Sequence, residues 1–430
     1  MKRQLLSIAI LFLSIALMGQ QPLPASEIAL HPELSASNMM AYPGPQRQLS
    51  PAPKGKKPFY LSHFGRHGSR YLTKPQDYDY VLSLLERASK EQKLSALGLD
   101  VLSRVSRLEQ AAHNRLGDLT PLGAQEHRDI ARRMAGRFPQ VFRGDAVVDA
   151  RSTTVMRSVL SMENTLQELL RLNPRLRISH DASFHDMYYL NLTDKKLLDN
   201  AQSAPSRQAY DEYCRRHRNW QRVAASLFND TTYVSEFVNG ERLVYYLFRL
   251  AGSVQDTELR HDLSLFDLFT PQELLDNWRM ENAFWYLGYG HPPLNGSQQP
   301  YLMRNMLRRI IEQTDSCIAL PRPGATLRFG HETGVLPLVC LMGLNGYDAP
   351  IGNLDSLELR GWVNYRIYPM SCNVQLVFYR HDPSDPDVLV KVLLNEDEAT
   401  LPLPTSQPPY YRWADVRAYY LRKLEAYKEN

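Results

Sequence analysis

The sequence predicts an α/β protein with a layered sheet core, flanking helices and an inserted, mostly α-helical second domain. Two observations predict the core: short apolar runs typical of strands alternate with segments whose apolar residues recur at helical spacing. A third predicts the insertion, because residues 185–299 are aromatic and loop-rich and show no alternating strand pattern. We expect the core to comprise residues 48–184 and 300–430, with residues 185–299 as the insertion.

Residues 1–25 have the pattern of a secretory signal peptide. Lys2 and Arg3 precede an apolar stretch from Leu5 to Leu17, and small and polar residues follow it. This stretch is shorter than the roughly 20 residues that a membrane-spanning helix needs. We therefore expect the protein to be exported, as a periplasmic or secreted protein without membrane attachment.

The charge of the chain indicates which partners to expect. The formal net charge is +4, and it falls to +2 without Lys2 and Arg3. A charge so close to zero favours neither nucleic acid nor an anionic membrane as a partner. We therefore expect a small-molecule ligand, and we expect the protein to be a monomer or a weak homo-oligomer. The cysteine spacings match no metal-site pattern and leave disulfide pairing open: Cys214, Cys317, Cys340 and Cys372.

Five segments are predicted to form strands, in this order: 59–64, 146–150, 325–329, 372–381 and 388–394. Helices are predicted within 77–116, over 120–139, after 151, near 300–313 and over 413–428. Thr120 followed by Pro121 is a typical helix start, and Pro139 marks the end of that helix. Ser152 or Thr153 would cap the helix that follows the second strand.

Ionisable residues stand at the ends of three predicted strands. In open α/β sheets, ligands bind beyond the carboxyl ends of the strands. Arginine side chains match the oxygens of a phosphate or carboxylate, and helix amino ends add favourable dipoles. Brought together, these residues would form an anion site: Arg66, His67 and Arg70 after the first strand, Arg151 and Arg157 after the second, and His331 and Glu332 after the third.

His67 is predicted to be a nucleophile. Gly65 and Gly68 let the chain turn sharply and let a ligand approach the backbone. A neutral imidazole nitrogen can displace an alkoxide from phosphorus, and nearby arginines disfavour the imidazolium form at mildly acidic pH. Two alternatives stay open: a histidine at a strand end is often structural, and Arg151 could be a structural ion-pair partner.

Four separated motifs resemble those of the histidine acid phosphatases, which form branch 2 of the histidine phosphatase superfamily. RHGSRYLT resembles the signature R-H-G-x-R-x-P-T, and LTPLGAQEHRDIARRMAGRFP is similar to a helix of that family. ARSTTVMRSVLSME is similar to a segment whose second arginine binds phosphate, here Arg157. FGHETGVLPLVCLMG resembles the F-G-H-A-E-T-L-L-P-L run of multiple inositol polyphosphate phosphatases. The resemblance spans residues 55–395 and is greatest to the bacterial members and phytases.

The resemblance implies a phosphomonoesterase that needs no metal and no cofactor and acts on a small-molecule phosphate ester. His67 would attack phosphorus, and Glu332 would protonate the leaving alkoxide. The phosphoryl oxygens would be held by four residues: Arg66, Arg70, Arg157 and His331.

The substrate would lie between the core and the helical insertion. Candidates for further substrate contacts are Arg151, Thr333, His185 and Asp186. The basic run CRRHR at 214–218 is a weaker candidate, because such a run is more simply a solvated helix face.

Two positions depart from the family pattern. Leu72 replaces the proline of the first motif, and we expect this to alter only local backbone. In the last motif, an ungapped alignment places alanine at 332 and glutamate at 333, whereas this chain has Glu332 and Thr333. The order His-Glu-Thr instead resembles the His-Asp-Thr of other histidine acid phosphatases. The reach of the acid therefore differs from the inositol phosphatase pattern.

The leading interpretation is an exported phosphatase that hydrolyses inositol polyphosphates such as phytate through a phosphohistidine. The alternative is a broad-specificity or sugar-phosphate histidine acid phosphatase. A mutase-type phosphotransferase is disfavoured by the signal peptide. A non-catalytic anion-binding protein would be expected to lack His67 or the acid, and this chain has both.

Overall fold

Residues 23–427, which a computed structural model describes, contain one eight-stranded sheet. The strands are β1 Lys57–Arg66, β2 Val147–Ser152, β3 Arg177–Asp181, β4 Gly324–Gly330, β5 Asn373–Arg380, β6 Leu389–Leu394, β7 Asp397–Ala399 and β8 Tyr410–Arg412. Their order is β3-β2-β4-β1-β5-β6-β7, and β8 also pairs with β6. The pairs β1–β4, β2–β4 and β2–β3 are parallel, whereas β5 runs antiparallel to β1.

The α-helices connect and cover these strands. They are α1 Pro24–Leu30, α2 Gln76–Lys90, α3 Ala96–Ala112, α4 Pro121–Arg137, α5 Met156–Leu172, α6 Met187–Leu190, α7 Lys195–Ala201, α8 Ala204–His217, α9 Gln221–Ser226, α10 Thr231–Phe237, α11 Gly240–Val254, α12 Pro271–Tyr289, α13 Arg304–Ile318, α14 Glu332–Met342 and α15 Trp413–Glu425. A 3₁₀ segment, Pro32–Met39, follows α1. None of these helices has both the length and the apolar character that crossing a membrane requires.

Helices cover both faces of the sheet, which makes a three-layer core. Because side chains alternate along a strand, Leu61 of β1 packs towards Leu166 of α5, in a cluster that also includes α4. Phe64, on the opposite face of β1, belongs to the cluster formed with α12 to α15. Central strands buried on both faces read as apolar runs, and all seven residues of β4 are buried. The predicted α/β sheet core with flanking helices is confirmed.

A third apolar cluster holds the helical part together. It contains Leu247 of α11 and Trp278 of α12, within the predicted insertion. It also contains Val81 of α2, Val105 of α3 and Ile28 of α1, which precede the insertion in sequence. The mostly helical second region is therefore present, and its apolar core draws on residues from both sides of position 185. The predicted domain boundaries themselves stay a prediction.

The register of the parallel strands sets the position of the site. Arg66 of β1 pairs with Gly330 of β4, and Ser152 of β2 pairs with Phe329. The residues that follow these strands therefore lie at one edge of the sheet. His67, His331 and Thr153 are those residues, so three segments far apart in sequence meet there.

Several predicted elements need correction in detail. The helix after β2 begins at Met156 with Val155 as its cap, so the prediction of Ser152 or Thr153 as cap was wrong. The hydroxyl of Ser152 instead donates to the carbonyl of Thr153, whose own hydroxyl lies 3.2 Å from His331 Nε2. Strands β3, β7 and β8 were not predicted. The predicted signal peptide lies outside the described residues except for its last three positions, 23–25.

Candidate active site

The backbone of His67 is fixed from two sides. Its N–H donates to the carbonyl of Gly330 at 2.9 Å, and its carbonyl accepts from the N–H of Ser371 at 3.0 Å. The preceding residue, Arg66, donates its N–H to the carbonyl of Cys372 at 2.8 Å. The turn after β1 is therefore held between the end of β4 and the chain that leads into β5.

The imidazole of His67 presents one nitrogen to the site. Its Nδ1 lies 2.9 Å from the carbonyl of Gly68, which can only accept, so Nδ1 carries the proton and Nε2 keeps its lone pair. The side chain is 1% exposed. Burial lowers the pKa of His67 well below its usual value, and the nearby charges, Arg66 first, lower it further. A neutral imidazole with a free Nε2 is the form that a nucleophile needs.

Three arginines surround this nitrogen, and several of their N–H groups lack an acceptor among the described residues. The unpaired atoms are Nη2 of Arg66, Nε of Arg70 and Nε of Arg157. Burial lowers the pKa of Arg70 to about 10, and burial also lowers the pKa of Arg157. Buried donors without acceptors are costly, and several cations at one place repel one another. The arrangement is therefore complementary to an anion with several oxygens.

Glu332 supplies a negative charge to this cluster. Its Oε2 lies 3.0 Å from Nε of Arg66 and 3.8 Å from Nε2 of His67. Its Oε1 accepts from Nδ2 of Asn38 at 3.1 Å. Burial raises the pKa of this carboxyl, but the charges of Arg66 and Arg70 outweigh burial and lower the pKa to about 2. Glu332 is therefore ionised in the free protein at mildly acidic pH.

His331 completes the ring of side chains around His67. The two imidazole centroids are 5.4 Å apart, with the rings edge to face. Nε2 of His331 lies 3.2 Å from the hydroxyl of Thr153. Burial lowers the pKa of His331 to about 4 despite the opposing effect of Glu332. His331 is thus neutral above that pH and interacts with a ligand as a hydrogen-bonding group.

A buried carboxyl pair supports the loop behind His67. The N–H and hydroxyl of Ser69 both contact Glu126, at 2.9 and 2.8 Å. The same hydroxyl lies 2.8 Å from Oδ1 of Asp256. Glu126 also accepts from the hydroxyl of Ser371 at 2.7 Å, the residue whose N–H holds His67. The loop that carries His67 and Arg70 is therefore anchored by side chains, not only by the sheet.

Sequence reasoning missed Asn38, Thr153, Glu126 and Asp256. Thr153 and Glu126 lie within the quoted motifs ARSTTVMRSVLSME and LTPLGAQEHRDIARRMAGRFP, which was the available signal. For Asn38 and Asp256 the sequence carries no such signal.

Among the described residues, no hydrogen bond or ion pair joins the remaining candidates to Arg66, Arg70 or Arg157. Arg151 forms ion pairs with Asp149 at 2.8 Å and with Asp186 at 3.5 Å, so two candidates, Arg151 and Asp186, pair with each other. His185 is exposed, and Thr333 is half-buried at the second position of α14.

The basic run 214–218 ends α8 and pairs with acids of neighbouring segments. Arg216 pairs with Asp355 at 3.0 Å, and His217 with Asp276 at 3.1 Å.

All four cysteines are free thiols, and three of them are buried.

Three side chains of the cluster also have the spacing of metal ligands. Ligand atoms of His67, His331 and Glu332 lie within 4.8 Å of one another. Arg66, Arg70 and Arg157 face the same space, and their positive charges oppose a divalent cation there. The charge of the site therefore favours an oxyanion over a metal ion.

Comparison with known proteins places this arrangement in a family. The chain is 22% identical to multiple inositol polyphosphate phosphatase 1 of Gallus gallus over 395 residues, which is 88% of this chain and 84% of that protein. The multiple inositol polyphosphate phosphatase of Bifidobacterium longum, solved in complex with inositol hexasulfate, superimposes with a TM-score of 0.75 at 18% identity, covering 90% of this chain and 97% of the other. The phytase of D. castellii gives a TM-score of 0.70 at 16% identity, covering 92% and 85%.

The family assignment rests on a match to a family model. A family model described as histidine phosphatase superfamily (branch 2) matches residues 64–395, which include every residue of the cluster around His67 except Asn38. The protein therefore belongs to branch 2 of the histidine phosphatase superfamily.

Proposed function

We propose that the protein is an exported phosphomonoesterase that hydrolyses inositol polyphosphates, phytate among them, through a phosphohistidine on His67. One observation carries this proposal: the free Nε2 of His67 stands among buried arginine N–H groups that have no acceptor in the described part of the chain. A phosphoryl group would accept from these donors and present its phosphorus to Nε2. The names of the relatives, inositol polyphosphate phosphatases and phytases, support the substrate class.

In the first step, the lone pair of His67 Nε2 attacks phosphorus and forms an N–P bond. The bond from phosphorus to the ester oxygen breaks, and its electron pair leaves with that oxygen. Glu332 donates a proton to the leaving alkoxide, which departs as an alcohol. Arg66, Arg70 and Arg157 stabilise the negative charge that spreads over the phosphoryl oxygens in the transition state.

In the second step, water attacks the phosphohistidine. Glu332, now a carboxylate, removes a proton from the water while the new O–P bond forms. The N–P bond breaks, and its electrons return to Nε2 of His67. Inorganic phosphate leaves, and the proton on Glu332 is available for the next leaving group, so the cycle needs no metal and no cofactor.

The ionised state of Glu332 in the free protein is compatible with its role as an acid. The pKa of its carboxyl is low because Arg66 and Arg70 face it. A bound phosphoryl group engages the same arginines and adds negative charge beside Glu332. Both changes raise the pKa of the carboxyl and favour its protonation before the leaving group departs.

A panel of three substrates tests the proposal. Phosphate release would be measured on phytate, glucose 1-phosphate and an aryl phosphate, for the wild type and for His67→Ala. We expect turnover of phytate by the wild type and none by the variant, with an unchanged melting temperature. Acid-labile, base-stable label on the protein after a brief reaction with labelled substrate would identify the phosphohistidine.

Three outcomes would change the assignment. Equal or greater turnover of glucose 1-phosphate would favour a sugar-phosphate or broad-specificity phosphatase. Near-normal activity of His67→Ala would remove the covalent mechanism. Binding of phosphate without turnover by the wild type would indicate an anion-binding protein.

A further inference from the structure

We propose that Asn38 is a positioning residue for Glu332: its side-chain amide holds Oε1 of the carboxyl, so that Oε2 is the oxygen that carries the transferred proton. This inference rests on the proposed function, because it concerns the acid of that reaction. Asn38 lies outside the four motifs, and it reaches the site from the 3₁₀ segment that follows α1.

The contact itself defines the roles of the two carboxyl oxygens. Nδ2 of Asn38 lies 3.1 Å from Oε1 of Glu332. Because a carboxylate oxygen can only accept, the amide N–H of Asn38 is the donor of this hydrogen bond. Oε1 is thereby occupied as an acceptor. Oε2 faces Nε of Arg66 at 3.0 Å and Nε2 of His67 at 3.8 Å. When a phosphoryl group engages Arg66, Oε2 is therefore the oxygen that becomes free to gain and lose a proton.

The backbone next to Asn38 is held in an uncommon conformation. Ser37 has φ 56° and ψ −120°, a region that side-chain-bearing residues rarely adopt. Its hydroxyl accepts from Nδ2 of Asn364 at 2.9 Å, and Asn364 in turn accepts from Nε1 of Trp278 at 2.8 Å. Such strain persists where the surroundings fix it, and it is concentrated at functional sites. Here its consequence is to direct Asn38 towards Glu332.

The position of Glu332 explains why such support matters. Glu332 is the first residue of α14, and moving a side chain by one position around a helix rotates it by about 100°. From position 332, the carboxyl lies against the segment that bears Asn38. When a phosphoryl group engages Arg66, the carboxyl loses part of its interaction with that arginine. The uncharged amide of Asn38 then remains as its hydrogen-bond donor.

The test combines two substitutions with two substrates. For Asn38→Ala, we expect kcat on phytate to fall about 10-fold, and kcat on an aryl phosphate to change less than 2-fold, as for loss of part of a general acid's effect. In a Glu332→Gln background, Asn38→Ala should cause no further loss, because the group that it positions is absent. Leu34→Ala is the matched control: it removes packing from the same segment and leaves the amide in place.

A second variant gives a readout that loss of packing would not move. Asn38→Asp places a carboxylate beside Glu332, which raises the pKa of the Glu332 carboxyl. The alkaline limb of the pH profile of kcat on phytate should therefore move to higher pH. Melting temperatures of all variants would verify folding.

The outcomes separate this inference from the proposed function. If the wild type hydrolyses none of the esters, the proposed function fails. If the wild type is active, three results would each overturn the role of Asn38: unchanged kcat in Asn38→Ala, equal losses on both substrates, or a further 10-fold loss in the Glu332→Gln background. An unmoved pH profile in Asn38→Asp would do the same.

Discussion

At the scale of single residues, the proposed nucleophile and the proposed acid have opposite charge requirements although they lie 3.8 Å apart: His67 is neutral and Glu332 is ionised. Burial and the same arginines act on both groups. They lower the pKa of the His67 imidazolium, which leaves the ring neutral, and Arg66 and Arg70 lower the pKa of Glu332, which leaves it charged. Positive charge favours the deprotonated form of each group, so one cluster of arginines leaves the imidazole neutral and the carboxyl charged.

The leaving group should decide how much Glu332 matters. An inositol alkoxide is a poor leaving group and needs a proton in the transition state, whereas an aryl phosphate leaves as a stabilised phenolate. Because loss of a general acid typically costs about 10²–10⁴-fold, Glu332→Gln should slow phytate hydrolysis by about 10²-fold or more and aryl phosphate hydrolysis much less. The measurement is kcat on both substrates.

Thr333→Val is the control for that substitution. Thr333 is the next residue of α14 and occupies the position where the inositol phosphatase pattern has its glutamate. We expect this variant to keep kcat on both substrates within about 2-fold. A larger loss than in Glu332→Gln would move the proton transfer to position 333, and equal slowing of both substrates in Glu332→Gln would limit Glu332 to organising the site.

Asp256 holds a proton that the hydrogen bonds require. The hydroxyl of Ser69 lies 2.8 Å from both Glu126 and Asp256, and its one proton can be donated to only one of them. Burial raises the pKa of Asp256 well above its ordinary value of 3.8, and Glu126 raises it further. Asp256 is therefore the protonated member: it donates to Ser69, and Ser69 donates to Glu126.

This assignment predicts a pH-dependent stability. The pKa of Asp256 is higher in the folded than in the unfolded protein. Its contribution to the free energy of unfolding is therefore complete below pH 3.8 and is lost as the pH rises towards the folded pKa. Each pH unit in this window costs about 1.4 kcal/mol. The side chain of Asp256→Asn cannot ionise, so this variant should not lose that stability as the pH rises. The free energy of unfolding of the variant minus that of the wild type should therefore be larger at pH 7 than at pH 3.5. Unfolding free energies at both values measure this gain, with exposed Asp211→Asn as the control.

At the scale of elements, the loop after β1 and the start of α4 are fitted closely together. The hydroxyl of Thr120 caps α4 by accepting from the N–H of Gly123 at 3.2 Å, and it lies 3.1 Å from the carbonyl of Ser69. A Cβ on Gly123 would lie 2.2 Å from that carbonyl, and one on Gly68 would lie 2.4 Å from the carbonyl of Gly123. The two glycines therefore allow the backbone of α4 to contact the backbone of the loop that contains His67 and Arg70.

Two glycines of the same helix should respond oppositely to alanine. Gly123→Ala forces the loop after β1 away from α4, so kcat on any ester should fall at least 10-fold and the melting temperature should fall. Gly136→Ala, also in α4, has open space around the new Cβ and should keep activity and gain about 0.5–1 kcal/mol of stability. Equal behaviour of the two variants would contradict this account of the contact.

The elements differ in how far the sequence could predict them. Strands β1, β2 and β4 carry apolar runs that end in the motifs, so both the strands and the residues at their ends could be predicted. Strand β3 has the polar sequence RISHD at the sheet edge, where one side of the ladder is free, and this pattern does not distinguish it from a loop. The contact of Asn38 with Glu332 joins residues 294 positions apart, and no local pattern reports such a pair.

At the scale of the whole molecule, the charge of the site argues for phosphoryl transfer without metal. Activity should therefore survive exhaustive treatment with EDTA. An aryl phosphate is the better substrate for this assay, because phytate itself binds divalent cations. A loss of activity that returns on adding a divalent ion would show that His67, His331 and Glu332 act as metal ligands instead.

The hydrogen bonds that hold His67 also set when the enzyme can first work. During synthesis from the N-terminus, the ribosome adds about 5–20 residues per second, so Ser371, about 300 residues after His67, follows it by roughly 15–60 s. Throughout that interval the histidine lacks the donor that holds its carbonyl and the strand that flanks β1. We therefore expect a chain that ends before Ser371 to be inactive. The capacity to attack a phosphate ester arises only once nearly the entire polypeptide has been made and has folded back on its beginning.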